Sequence, residues 1–154
     1  MDTNRAQMQC IDQIVRDVAA AHRTAEATII FCVYTGSTTP ANCEPMPRKP
    51  APDVGMLFDS TFPAILARMT ARNAAVHDGA IMVGRSQPIE PYHVMGWSFR
   101  LFPQFAVSHS QANRGSAFNS CLSMSSVPTV DSVYLISGTG IFCFQGGEVA
   151  ELPT

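Results

Sequence analysis

In the run Val76-His77-Asp78-Gly79-Ala80-Ile81-Met82-Val83, a carboxylate and a glycine stand at the entrance to an apolar segment. Asp followed by Gly lets side chain and backbone approach a ligand or a metal ion closely, while Ile81, Met82 and Val83 bury the strand that carries them. Asp-Gly is also an ordinary turn signal, so the dipeptide alone leaves both readings open. A second constellation is Asn113-Arg114-Gly115-Ser116, just ahead of a short helical run from Ser116 to Met124. Unpaired backbone N–H groups, the positive end of the helix dipole and a guanidinium would converge there, as phosphate binding requires, although a lone Arg before a helix is equally compatible with plain solvation. Asp78 faces these groups if both loops lie at one edge of a sheet, and a carboxylate beside bound phosphates can hold Mg²⁺ or Mn²⁺. Ser137-Gly138-Thr139-Gly140 adds two hydroxyls at a Gly-bordered turn, suited to a ribose or a phosphate.

The elements that must position these groups are readable from periodicity. Met8, Ile11, Ile14, Val15, Val18 and Ala19 recur at three- and four-residue steps and predict an amphipathic helix from Gln7 to about His22. Thr28 to Tyr34 is a continuous β-branched and aromatic run closed by Gly36, which predicts a buried strand. Five prolines between Pro40 and Pro52 rule out a helix or a central strand over about 38–55, and predict an extended loop acting as an interface arm, a disordered segment or a lid. Helical spacing resumes from Asp59 to Arg72, with Asp59 or Ser60 able to cap it. Strands are expected at Ala80–Gly84, Val94–Phe102, Ser132–Ser137 and Ile141–Gln145, the last two joined as a hairpin through Ser137 to Gly140. This order predicts a single α/β domain with a mixed central sheet and helices on its faces.

Composition limits the functional classes. A chain of 154 residues with 14% charged residues and one lysine, Lys49, has a polar but sparsely charged surface suited to being covered by a second subunit or further domains. A net charge of −2 argues against general nucleic-acid binding. No apolar run reaches the roughly 18 residues of a membrane span and no leader pattern is visible, which leads to the expectation of a soluble, cytoplasmic protein. Five scattered cysteines without a C-x-x-C pair read as reduced core thiols. Among the histidines, His22 lies near a helix end, His93 and His109 near strand ends, and none has a second ligand at a metal-binding step. Trp97 is expected in the core or at a subunit interface.

Taken in order, His77-Asp78-Gly79-Ala80, Leu101-Phe102-Pro103, Asn113 to Phe118 and Asp131 to Gly140 resemble the diadenylate cyclase (DAC) domain family. Its members join two ATP molecules into cyclic di-AMP. They carry an L-H-D-G-A element, a strand ending in Leu-Pro, a G-T-R-H-R-A-A element opening a helix, and a D-A followed by an apolar strand and S-E-E-T-G. The order holds from about Phe58 to Leu152. Only Arg114 remains of the family's R-H-R, with Gly115 and Ser116 at the other two positions. Gly138 replaces the acidic pair before Thr-Gly with one residue fewer, and the interval from Arg114 to Asp131 is a few residues longer.

The resemblance implies one DAC-like nucleotide-binding domain. It would bind ATP or a cyclic or dinucleotide second messenger through Asp78, Gly79, Ala80, Phe102, Asn113, Arg114, Gly115, Ser116, Ser137, Thr139 and Gly140. Asp78 would be the metal ligand and, if the protein is active, the catalytic group. His77 is expected to brace the Asp78 turn. The loss of phosphate-binding residues implies a sensor-like member with little or no cyclase activity. The alternatives are a working diadenylate cyclase and an interaction scaffold without ligand. Self-association is also implied, since family members meet face to face.

Overall fold

The computed structural model describes residues 3–22, 28–102 and 115–154 of the chain. Its elements run α1 (Thr3–Ala21), β1 (Ile29–Thr35), β2 (Cys43–Pro45), α2 (Phe62–Arg72), a 3₁₀ turn (Ala74–His77), β3 (Ala80–Arg85), β4 (His93–Leu101), α3 (Gly115–Met124), β5 (Val130–Ser137), β6 (Gly140–Gln145) and β7 (Glu148–Leu152). The strands form one mixed sheet of seven in the order β2-β4-β3-β1-β5-β6-β7. Only β1 and β3 are parallel, with α2 lying between them in the chain, and the remaining pairs are antiparallel.

Alternation along the central strands divides the core into two layers, because successive strand side chains point to opposite faces. Ile29, Phe31 and Val33 of β1, Ile81 and Val83 of β3, and Tyr134 and Ile136 of β5 pack with Ile11, Val15 and Val18 of α1 and Phe62, Leu66 and Met69 of α2. Cys32, Tyr34, Ala80, Met82, Val133 and Leu135 take the other face, with Phe118, Cys121, Leu122 and Met124 of α3. Each large apolar side chain buried in this way contributes roughly 1.5–3 kcal/mol of transfer free energy. Trp97 belongs to the first layer: its ring stacks on Phe62 at 5.8 Å and its Nε1–H donates to the Asp53 carbonyl at 2.8 Å.

The segment read as a Pro-rich arm is instead docked on the domain. Cys43–Pro45 pairs antiparallel with β4 as an edge strand, a place where a proline removes no needed ladder bond. β7, absent from the expected elements, closes the opposite edge by pairing with β6. α2 begins at Phe62, three residues later than expected, because Asp59 does not cap the helix itself. Its carboxylate accepts from both the backbone N–H and the hydroxyl of Thr61, the residue at the N-cap.

At the carboxyl ends of β1 and β3 a polar network locks the sheet. Buried Arg85 donates from Nε to Thr35 Oγ1 at 2.8 Å and from a terminal nitrogen to Gln7 Oε1 at 2.7 Å, with its guanidinium 4.3 Å from the Tyr92 ring centroid. Thr35 and Tyr92 both donate to Asp131 Oδ2, at 2.6 and 2.7 Å. Burial, followed by these contacts with Asp131, pushes the Tyr92 phenol well above its ordinary range. Asp131 therefore serves the scaffold at the end of the sheet remote from the Asp78 turn.

Candidate functional site

The register brings the candidate loops to one end of the sheet. Ile30 pairs with Ala80, Ala80 with Phe99 and Ile29 with Ile136, so the starts of β1 and β3 lie beside the ends of β4 and β5. The Asp78 turn is built there in small steps. Asn73 accepts the Ala75 N–H on its side chain at 3.0 Å, the 3₁₀ turn follows, and the Asp78 N–H closes it on the Ala75 carbonyl at 3.0 Å. His77 braces the turn from behind through Nε2, 3.0 Å from Thr70 Oγ1. The Thr70 hydroxyl donates to the Leu66 carbonyl at 2.8 Å, which assigns the His77 proton to Nε2 and leaves Nδ1 as the acceptor nitrogen. Burial first, and the neighbouring His22 second, hold the His77 pKa below the ordinary imidazole value, against the opposing pull of Asp78.

Gly79 is required by its surroundings. It adopts φ +79°, and a Cβ there would sit 2.6 Å from the Phe99 carbonyl oxygen and 2.9 Å from the Ser98 carbonyl carbon. This close approach of two backbones turns the Asp78 side chain outward, 75% exposed, with one oxygen 3.7 Å from a terminal nitrogen of Arg48. Arg48 is itself largely covered, and its Nε donates to the Ala75 carbonyl and to Ser98 Oγ, each at 3.1 Å. Ser98 is fully buried at φ 57°. Arg48 thus ties the Pro-rich segment to the turn and puts a positive charge beside Asp78, a role that its place in a run of prolines did not announce.

Behind Gly79 lies a cavity of about 220 Å³, bounded by Ile30, Met46, Ala80, Ser116 and Ser120, with Arg100 also on its wall. Ala80 is fully buried. Ser116 and Gly115, the latter at φ +84°, are exposed at the start of α3. The structure therefore brings Gly79, Ala80 and Ser116 together, and leaves Phe102 exposed at the end of β4. Asn113 and Arg114, together with Pro103 and His109, lie outside the described residues. Arg100, Met46 and Ser120 were not singled out from the sequence; the alternation of β4 was the only signal for the first, and none existed for the other two.

Ser137, Thr139 and Gly140 occupy the same end of the sheet but open into a different cavity. That space, of about 460 Å³, lies against α1 and is also lined by Gln13, Arg16 and His22. The two hydroxyls are 3.0 Å apart and partly spent on their own turn, since the Thr139 N–H donates to Ser137 Oγ at 3.3 Å. Ser116 lines the smaller cavity beside Gly79, on the α3 side of the sheet.

Among the described residues no group of three or more His, Cys, Asp or Glu side chains could hold a metal ion. A divalent ion at Asp78 would therefore need water and ligand oxygens to complete its shell, a mode that Mg²⁺ favours. All five cysteines are free, and burial pushes the Cys121 thiol up to about 12. No described helix is long and apolar enough to cross a membrane.

No protein-family model matches the chain, and no curated protein matches it. Several solved structures share its fold, two of them at the following low identities. The hypothetical membrane spanning protein from Bacillus cereus superposes with a TM-score of 0.64 at 10% identity, over 92% of this chain. This chain spans 63% of that protein's length. A double mutant of DacA from Staphylococcus aureus superposes with a TM-score of 0.57 at 12% identity, covering 100% of this chain and 91% of DacA.

Proposed function

We propose that this protein is a nucleotide-binding sensor or regulatory domain related to diadenylate cyclases, with little or no cyclase activity. The observation that carries the reading is the Asp78-Gly79 turn: an outward carboxylate, held by a glycine that nothing larger could replace, beside a cavity that reaches the start of α3. The likeness to the fold of DacA, a diadenylate cyclase, supports it. The ligand is ATP or a cyclic or dinucleotide. Its phosphates would lie against the backbone of Gly79 and the N-terminal turn of α3, with Mg²⁺ or Mn²⁺ shared with Asp78, and Arg114, which precedes that turn in the sequence, is the guanidinium expected to pair with them. Weak catalysis follows from chemistry: in the family the transferred phosphates meet two guanidiniums and an imidazole, and each lost donor of this kind costs roughly 10²–10³ in rate.

A thermal-shift panel of ATP and cyclic dinucleotides with Mg²⁺ tests the binding, since a ligand at 100 times its Kd adds about 2.7 kcal/mol. No stabilisation by any nucleotide would leave an interaction scaffold. Chromatography of ATP incubated with Mg²⁺ or Mn²⁺ tests the second half. Product formed at about 1 s⁻¹ or faster, a rate typical of enzymes, would make it a cyclase instead.

A further inference from the structure

The two histidines at the junction of α1 and the 3₁₀ turn are not absorbed by the nucleotide site. His22 follows the last turn of α1, with its N–H on the Val18 carbonyl at 3.0 Å, and its ring lies 5.8 Å from that of His77, centroid to centroid, with the two planes at 74°. Each ring carries one buried nitrogen without a hydrogen-bond partner among the described residues, Nε2 of His22 and Nδ1 of His77. A single orphaned polar atom is uncommon in a folded core; two on touching rings call for a shared partner. The His77 nitrogen is a lone pair by assignment, because Thr70 accepts the proton on the opposite side of the ring. That outer hydrogen bond is the arrangement that orients metal-ligating histidines and fixes their tautomer.

We infer that His22 and His77 form a two-imidazole site for a divalent transition-metal ion of the zinc class, bound through His22 Nε2 and His77 Nδ1. The spacing agrees. With metal–nitrogen bonds of about 2.0–2.1 Å, two imidazoles on one ion have ring centroids from about 5 Å apart at a tetrahedral angle to about 6.4 Å when collinear. The observed 5.8 Å falls inside that interval. Imidazole suits zinc, nickel and copper better than magnesium, so this site and the oxygen site expected at Asp78 select different ions. No third His, Cys, Asp or Glu completes a set among the described residues, which leaves the remaining positions to water or an added ligand. Because His77 directly precedes Asp78, an ion here would fasten the end of α1 to the turn that presents the carboxylate.

The inference does not depend on the nucleotide reading, and its test uses metal alone. Equilibrium dialysis of the full chain, freed of metal with EDTA and kept reduced, against Zn²⁺ and Co²⁺ should give one equivalent bound with a Kd below about 100 μM. His22→Gln and His77→Gln should each weaken binding at least tenfold, while His93→Gln, at the opposite end of the sheet where His93 pairs with Gly84, should leave it unchanged. Should a glutamine variant fail to fold, anomalous diffraction from a zinc-soaked crystal of the unaltered protein decides, by a peak between the two rings. A water molecule there without anomalous signal, zinc affinity unchanged in both histidine variants, or no binding at 100 μM would each overturn the inference.

Discussion

One carboxylate oxygen of Asp78 lies 3.7 Å from the guanidinium of Arg48, yet the two residues are held in place by different forces. Arg48 is only 17% exposed and satisfies Ala75 and Ser98, whereas Asp78 is 75% exposed and its pairing is screened by water. Arg48→Ala should therefore destabilise the domain by about 1–3 kcal/mol through the loss of its charge-assisted hydrogen bonds to Ala75 and Ser98, and Asp78→Asn by less than about 1 kcal/mol. Urea denaturation of the two variants and the double mutant checks this. Equal losses, or a large coupling energy, would mean that the ion pair and not the backbone anchoring organises the turn.

Gly79→Ala should cost roughly 2–5 kcal/mol, the sum of a left-handed backbone imposed on an L residue and a methyl group forced against the Phe99 carbonyl. Gly138, at the tip of the β5–β6 hairpin, has nothing within 4 Å of the equivalent methyl. Gly138→Ala should stay within about 0.5 kcal/mol of the parent. Thermal melts of both variants provide the comparison, and similar losses would remove the steric case for glycine in the Asp78 turn.

Both glycines were visible in the sequence as turn signals, but only one proves to be sterically obligatory, and that distinction depends on β4 passing behind Gly79. The same limit explains what else was and was not legible. α1 and α2 follow from a periodicity of 3.6, and β1 from a continuous β-branched and aromatic run, patterns that burial imposes directly on the sequence. β2 hides in a segment whose prolines argue against strand, although an edge tolerates them, and β7 is a charged edge whose one signal was the Gly146-Gly147 pair. Pairings across long separations leave no local trace: Arg48 with Ser98, Tyr92 with Asp131 and His22 with His77 are joined only by the fold.

Thiol chemistry should follow the burial pattern. Cys10 is exposed on α1, while Cys32 and Cys121 are enclosed in the core, and burial is the leading cause that raises both of their pKa values. A disulfide reagent at pH 8 should modify Cys10 first and reach Cys32 and Cys121 only on unfolding. Peptide mapping of the native protein checks the order. Rapid labelling of Cys121 would show that α3 opens from the sheet far more readily than its packing implies.

The Asp59 carboxylate, which accepts both bonds from Thr61, is held below the usual carboxylate range by the Thr61 hydroxyl and then by its backbone N–H. A carboxylate with a depressed folded pKa stabilises the protein above its unfolded pKa, and loses that contribution as pH falls through the folded value. The start of α2 should accordingly weaken below about pH 4. Asp59→Asn should flatten the decline in melting temperature between about pH 5 and pH 3. An unchanged pH profile would mean that the Asp59 turn contributes nothing to the stability of the helix.

The sharpest test of the nucleotide reading compares the two charges expected on either side of bound phosphates. Arg114→Ala removes a charge-assisted contact and should weaken nucleotide binding by about 1.5–3 kcal/mol whether or not a divalent ion is present. Asp78→Asn should weaken it mainly with Mg²⁺ present, because the carboxylate acts by holding the ion and would by itself repel phosphate. In EDTA that variant should bind as well as the parent or better. Its nearest cation, Arg48, loses its anionic partner in the variant and becomes available to the ligand. Calorimetric titrations with Mg²⁺ and with EDTA measure all four combinations. Losses of the same size under both conditions for Asp78→Asn, or none for either variant, would show that the Asp78 turn and the segment before α3 do not form a shared phosphate site.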